Sequence, residues 1–151
     1  RRHYAPLFRY EVRALMAHEH RLTAREYLRA QDFAAETLIH YPIPDERLDL
    51  MREVLKPAGI DPVRKPTLLT VAILQLVASG RGIAALPGWA VQAFLERNYV
   101  AARKIGRRGL FASLFAAVPQ ALAEAAYMKA FVETMRTVSC ASLKGISALE
   151  G

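Results

Sequence analysis

Residues 73–87 read ILQLVASGRGIAALP, and the rest of the chain is organised around this stretch. Between Ile73 and Ala78 only Gln75 is polar, which leaves no polar stripe and places the helix inside the fold. Ser79 and Gly80 follow, and glycine just past the last apolar turn is the common left-handed cap. Gly82 supplies a second permissive point before the chain extends. Ile83–Leu86 is then continuously apolar, the pattern of a strand covered on both faces of a parallel sheet. Helix, tight turn and buried strand make half of a βαβ unit.

The flanking sequence repeats that alternation. Tyr10–Ala17 and Thr37–Tyr41 read as strands, with a short helix over Ala30–Glu36 between them. Pro42 and Pro44 end the second strand, and Pro44 suits the first turn of a helix whose Asp45 and Glu46 favour the positive end of its dipole. Leu48, Leu50, Met51, Val54 and Leu55 form its apolar stripe, and Pro57–Gly59 stops it. A strand near Val63–Pro66 follows, with Thr67 capping or preceding the organising helix. Beyond Pro87 the pattern predicts an amphipathic helix over Trp89–Arg97, an edge strand around Tyr99–Ile105 and an apolar strand over Leu110–Val118. The last helix, Tyr127–Leu143, spaces Met128, Phe131, Val132, Met135 and Val138 as core filler or a subunit contact. The whole is an α/β layer fold with a mostly parallel sheet flanked by helices.

Composition narrows the class. With 151 residues, 53% hydrophobic and 23% charged, the chain is globular and large enough to bury a core. Pro66–Ser79, its longest nearly uncharged apolar run, falls short of the ~20 residues of a membrane span. The net charge of +7 raises a nucleic-acid reading, but Arg103, Lys104, Arg107 and Arg108 lack interleaved aromatics and read as a solvated loop. His18 and His20 have no third ligand in pattern and read as a polar turn rather than a metal site. Cys140 reads as a structural thiol, and one cysteine fits a reducing cytoplasm. A chain opening on Arg1, Arg2 and His3 without methionine is expected to lack its true N-terminus.

In such sheets ligands bind outside the carboxyl ends of strands. That rule selects three places, Tyr41–Arg47, Thr67–Thr70 and Pro87–Trp89, and within them Tyr41, Pro42, Ile43, Pro44, Arg47, Thr67, Gly88 and Trp89 are the candidate ligand-binding residues. Arg47 either holds a ligand carboxylate through its planar fork or pairs at the surface with Asp45 or Glu46. No phosphate loop, nucleophile elbow or tasked carboxylate pair is present, so an enzyme is not expected, and no cofactor or metal is.

LVASGRGIAALP closely resembles a signature of the effector-binding domain of LysR-type transcriptional regulators. FRYEVRALMAHEHRL resembles that family's strand leading into a histidine-proline-leucine turn, with Arg21 where the family has proline. DFAAETLIHYP, RLDLMREVLKPAG and GLFASLFAAV resemble the family's methionine-regulon activators. The resemblance implies a fragment with a type 2 periplasmic-binding-protein fold. Residues 1–17 would hold a first crossover strand, 18–109 the second lobe, and 110–151 the return strand and a C-terminal helix that packs on an absent first lobe.

It also implies a small-molecule effector, homocysteine for this subtype, held between lobes with Tyr41–Pro44 as this lobe's contribution. Operator DNA would be bound only through a missing N-terminal domain, in a cytoplasmic homodimer or tetramer with no membrane partner. A periplasmic-type lobe for an amino acid or small anion shares the fold and is the competing reading.

Overall fold

The structure, a computed structural model, describes residues 1–149. The chain divides into two compact units, one formed by Val12–Leu110 and the other by Arg1–Glu11 with Phe111–Gly151.

In the first unit, strand β3 (Thr37–His40) pairs in parallel with β4 (Val63–Pro66), from Thr37 opposite Val63 to His40 opposite Pro66. On its other side β3 meets the start of β5 (Ala84–Pro87) through a parallel bridge between Leu38 and Ile83. Ile39 N–H donates to the Ile83 carbonyl at 2.8 Å, and Ile83 N–H to the Thr37 carbonyl at 2.9 Å. The carboxyl ends of β4, β3 and β5 therefore share one edge. Helix α1 (Thr70–Ala78) lays Ile73, Leu74 and Val77 onto this layer, where they pack with Ile39, Ala84 and Leu86. At about 1.5–3 kcal/mol for each large apolar side chain removed from water, this cluster contributes strongly to the stability of the unit.

The next strand departs from the parallel expectation. β1 (Arg2–Met16) runs antiparallel to β5, with Val12 opposite Pro87, and antiparallel to β6 (Ala101–Ile105), with Met16 opposite Ala101. Parallel order resumes where the two-residue strand β2 (Tyr27–Leu28) joins β6. β6 is thus an inner strand rather than the expected edge, because two residues are too few to register as a period. The fold remains mixed α/β, with its parallel pairs on either side of an antiparallel β1.

Other expectations also shift. α1 is not enclosed: Gln75 is exposed, as is Val71, and Leu68 and Leu69 just before it are 75% and 64% exposed. A helix lying on one face of a sheet has only one side to bury, so apolar content alone overstates its cover. The helix starts after Leu69, and Thr67 is no cap, since its hydroxyl donates to the Lys65 carbonyl at 3.3 Å. Asp45–Arg47 is a 3-10 turn and Met51–Leu55 a wide π-type turn, although Leu50, Met51 and Leu55 are buried as the stripe requires. Ala30–Phe33 is likewise a 3-10 turn, and Gly88–Val91 another that leads into helix α2 (Gln92–Glu96).

In the second unit, β1 pairs with β7 (Leu110–Pro119) and, antiparallel, with β8 (Ile146–Ala148), a strand too short to be read from pattern. Helix α3 (Ala126–Ser142) is tied to β1 by Arg136, whose Nε and Nη2 donate to the Pro6 carbonyl at 3.0 and 2.6 Å. Arg9 stacks on Phe111 at 4.1 Å. Val132 is the buried side chain of α3, whereas Tyr127 and Phe131 stand exposed.

The two turn glycines act differently. Gly80 has φ +77° and open space around it. Gly82 lacks a positive φ, and what it provides is proximity: a Cβ there would lie 2.5 Å from the Thr37 carbonyl oxygen and 3.0 Å from Ile39. Gly80→Ala should cost about 1–2 kcal/mol through strain, and Gly82→Ala about 3 kcal/mol through overpacking. Urea unfolding of both variants checks that order.

Candidate functional site

β3 ends where its neighbours end, so the residues just beyond it are gathered by the sheet. Thr67 N–H donates to the His40 carbonyl at 2.8 Å, extending the β3–β4 ladder by one step and setting Thr67 beside Tyr41. The Tyr41 hydroxyl is hydrogen-bonded to Thr70 Oγ1 in the first turn of α1. The loop is thus held at its base, while Pro42, Ile43 and Pro44 remain exposed. Ile43 N–H closes a tight turn onto the Tyr41 carbonyl at 2.8 Å. Gly88 and Trp89, half-buried, follow β5 at the same edge.

Arg47 does not make the surface pair weighed from sequence. Asp45 is taken by Arg64, whose Nη1 and Nη2 donate to its two carboxylate oxygens at 2.8 and 3.0 Å. Arg64 also reaches Asp61 at 3.0 Å, and Lys56 approaches Asp45 at 3.9 Å and Glu46 at 4.0 Å. Arg47 is exposed and makes no ion pair among the described residues, so its fork is available at the loop. The Arg64 hydrogen bonds hold the Asp45 carboxyl below the usual carboxylate range, against burial, and the same bonds raise the Arg64 guanidinium.

His40 was not singled out from sequence. It is only 9% exposed, and its Nδ1–H donates to the Tyr41 carbonyl at 2.7 Å, while Nε2 is buried without a hydrogen-bond partner among the described residues. Its place as the last residue of an alternating strand is the signal that could have found it. Thr70 closes the strand-end stretch Thr67–Thr70 that the sequence selects, whereas Arg64 carries no such signal, because its partner Asp45 lies 19 residues away.

The two turn histidines diverge. His20 accepts from Leu22 N–H at Nδ1 and bonds Glu36 through Nε2 at 2.6 Å, while His18 bonds the Asn98 carbonyl at 2.5 Å. Among the described residues no group of three side chains is arranged to hold a metal ion. Of the four cations read as a solvated loop, Arg103 is structural. It lies in β6 and donates to the Thr23, Arg25 and Ala102 carbonyls, whereas Lys104, Arg107 and Arg108 are exposed.

The Asp45–Arg64 pair predicts a pH signature. A carboxyl held low in the folded state contributes fully above its unfolded value, about pH 4, and the contribution is lost as acid protonates the folded form. Asp45→Asn should cost about 1 kcal/mol near neutrality, a half-exposed pair's worth, and progressively less below about pH 4. Denaturant melts at pH 7 and pH 3 check this.

Residues 2–139 match the family model described as the LysR substrate binding domain. The chain is similar to the HTH-type transcriptional regulator MetR of Haemophilus influenzae, at 43% identity over 97% of this chain and 47% of that protein. It is also similar to the Escherichia coli K12 protein of the same name, at 38% identity over 98% of this chain and 46% of that one. It therefore spans about half the length of the curated relatives it matches. The solved regulatory domain of MetR, a LysR family regulator from N. meningitidis, shares its fold with a TM-score of 0.92. That match is at 45% identity and covers 99% of this chain and 69% of that one. The chain belongs to the LysR substrate binding domain family, whose regulatory domains have the type 2 periplasmic-binding fold.

Proposed function

We propose that this chain is the effector-sensing part of a LysR-type transcriptional regulator that controls methionine biosynthesis genes with homocysteine as co-regulator. The supporting observation is its likeness, over nearly its whole length, to proteins named MetR. In this reading Arg47 receives the amino-acid carboxylate through its two parallel N–H donors, and Tyr41–Pro44, Thr67, Gly88 and Trp89 line one wall. The opposite wall and the operator-binding head belong to sequence outside this chain, and the regulator acts in the cytoplasm. Among the described residues no helix is long and apolar enough to cross a membrane. The chain acts by binding, and effector occupancy shifts the population of two conformations by its differential affinity for them.

One wall binds weakly. Trp89 is the chain's single tryptophan and lies in the proposed site, so its emission reports occupancy. Homocysteine should change that emission with half-saturation at roughly millimolar concentration or above. Arg47→Ala should weaken the effect about tenfold, the loss of a charge-assisted hydrogen bond. Submillimolar affinity would refute the one-wall account, and a signal indifferent to Arg47 would remove the residue from the site.

Exposed Phe111 and Phe115 on β7, with Tyr127, Phe131 and Val138 on α3, favour self-association of the isolated chain. Sedimentation should show dimers or larger species, and a monomer across a hundredfold concentration range would count against a homo-oligomeric regulator built on this surface.

A further inference from the structure

Arg103, Lys104, Arg107 and Arg108 read as a solvated loop because no aromatic lies among them, and the fold supplies one. β2 pairs in parallel with β6, Tyr27 beside Lys104 and Leu28 beside Ile105, so Tyr27 and Lys104 stand next to each other on one face of the sheet. Gly106 N–H donates to the Leu28 carbonyl at 2.7 Å and carries this ladder one step further, which brings Arg29 alongside the turn after β6. Gly106 and Gly109, at φ +79° and +86°, frame that turn, and Gly109 N–H closes it onto the Gly106 carbonyl at 3.1 Å. Arg107 and Arg108 form its exposed tip.

Arg29 adds a fourth cation. Its guanidinium lies 5.8 Å from the Tyr27 ring centroid and its Nη2 donates to the Tyr27 hydroxyl at 3.4 Å, so the hydroxyl's own hydrogen is left to donate outward. Among the described residues Arg29, Lys104, Arg107 and Arg108 make no ion pair. Asp32 is buried, accepts from Arg29 N–H at 2.8 Å and lies 3.3 Å from Arg25, which spends its charge on structure. Glu26 is the one carboxylate in residues 25–29, and residues 101–109 contain none. All four cations are exposed, on an outer strand's end and a turn, which suits a polyanion lying across them better than a small ligand enclosed by them.

We propose that this surface makes sequence-independent contacts with the phosphate backbone of duplex DNA. The inference rests on the reading of the chain as part of a transcriptional regulator, since the curated relatives named HTH-type transcriptional regulator extend over about twice its length. A chain held on a duplex by its other half presents this surface to phosphates at high effective concentration, where weak contacts count. Arginine forks match phosphate, lysine meets it as a point charge, and the Tyr27 hydroxyl donates to it. Such contacts fix orientation without reading bases, so operator recognition stays with the head.

Fluorescence anisotropy of a labelled duplex of about 20 base pairs and arbitrary sequence, titrated with the chain, tests this. Saturable binding is expected, with half-saturation on the order of 0.1 mM at about 50 mM sodium chloride and a slope of log affinity against log salt of about −3 to −4. Arg107→Ala with Arg108→Ala should bring the slope to about −2 and weaken binding at least tenfold at that salt. If that variant does not fold, Lys104→Gln serves, with a slope shallower by about 1. Lys65→Ala with Arg81→Ala removes the same charge from exposed positions on β4 and in the turn before β5, and should leave the slope unchanged. Equal losses in both double variants would reduce the effect to net charge, and tighter binding of poly-glutamate than of the duplex would give the surface to an acidic protein. Either result, or no binding at roughly millimolar chain, overturns the proposal. Homocysteine-dependent tryptophan emission is independent of these outcomes, so failure here is distinguishable from failure of the effector reading.

Discussion

The close approach of Gly82 to the carbonyl of Thr37 is the constraint on which the site's architecture rests. A Cβ at that position would lie 2.5 Å from the carbonyl oxygen, so the chain leaving the turn can settle against β3 only because it carries no side chain there. That oxygen then accepts the Ile83 N–H, and the Ile83 carbonyl accepts from Ile39. These two bonds bring β5 beside β3 in parallel. Parallel strands with aligned ends open their loops on the same side, which is why Tyr41, Thr67 and Gly88 lie along one edge although 47 residues separate the first from the last.

The loop after β3 gains its order from its neighbours, since its own sequence offers little. Two prolines remove amide donors, and the pieces that follow are 3-10 and π-type turns rather than a continuous helix. Tyr41 is fastened to α1 by Thr70, and Asp45 to β4 by Arg64. Because Arg64 satisfies Asp45 bidentately, Arg47 is left with its fork exposed. Among the described residues this guanidinium makes no ion pair, and it stands on a loop whose two ends are fastened to α1 and β4.

The same electrostatic logic distinguishes the arginines of this basic chain. Arg64 and Arg136 have carboxylate partners at 2.8 and 2.5 Å, which spend their charge on structure. Among the described residues Arg103 is held by carbonyl dipoles and makes no ion pair, so it is ordered but keeps its field. Sequence counts all of these as equal contributions to +7. Asp45, which Arg64 grips bidentately, lies 19 residues away on another element, and Thr23, which accepts from Arg103, lies 80 residues away.

By itself the sequence determined the elements that show a clear pattern: β3, β4, α1, β5, β7 and α3, with the turn at Gly80, and of β1 only the part from Tyr10 onward, since the strand begins at Arg2. It also placed the strand-end residues, because proline and glycine punctuate locally whatever the tertiary setting. The tertiary structure decided the rest. Strands β2 and β8 have two and three residues, too few to display alternation, and β6 therefore read as an edge. The antiparallel course of β1 depends on which strands flank it, and no residue within it records that. Gly82 looked permissive in sequence, but what makes glycine necessary there is a carbonyl 45 residues earlier in the chain, a distance that only folding closes.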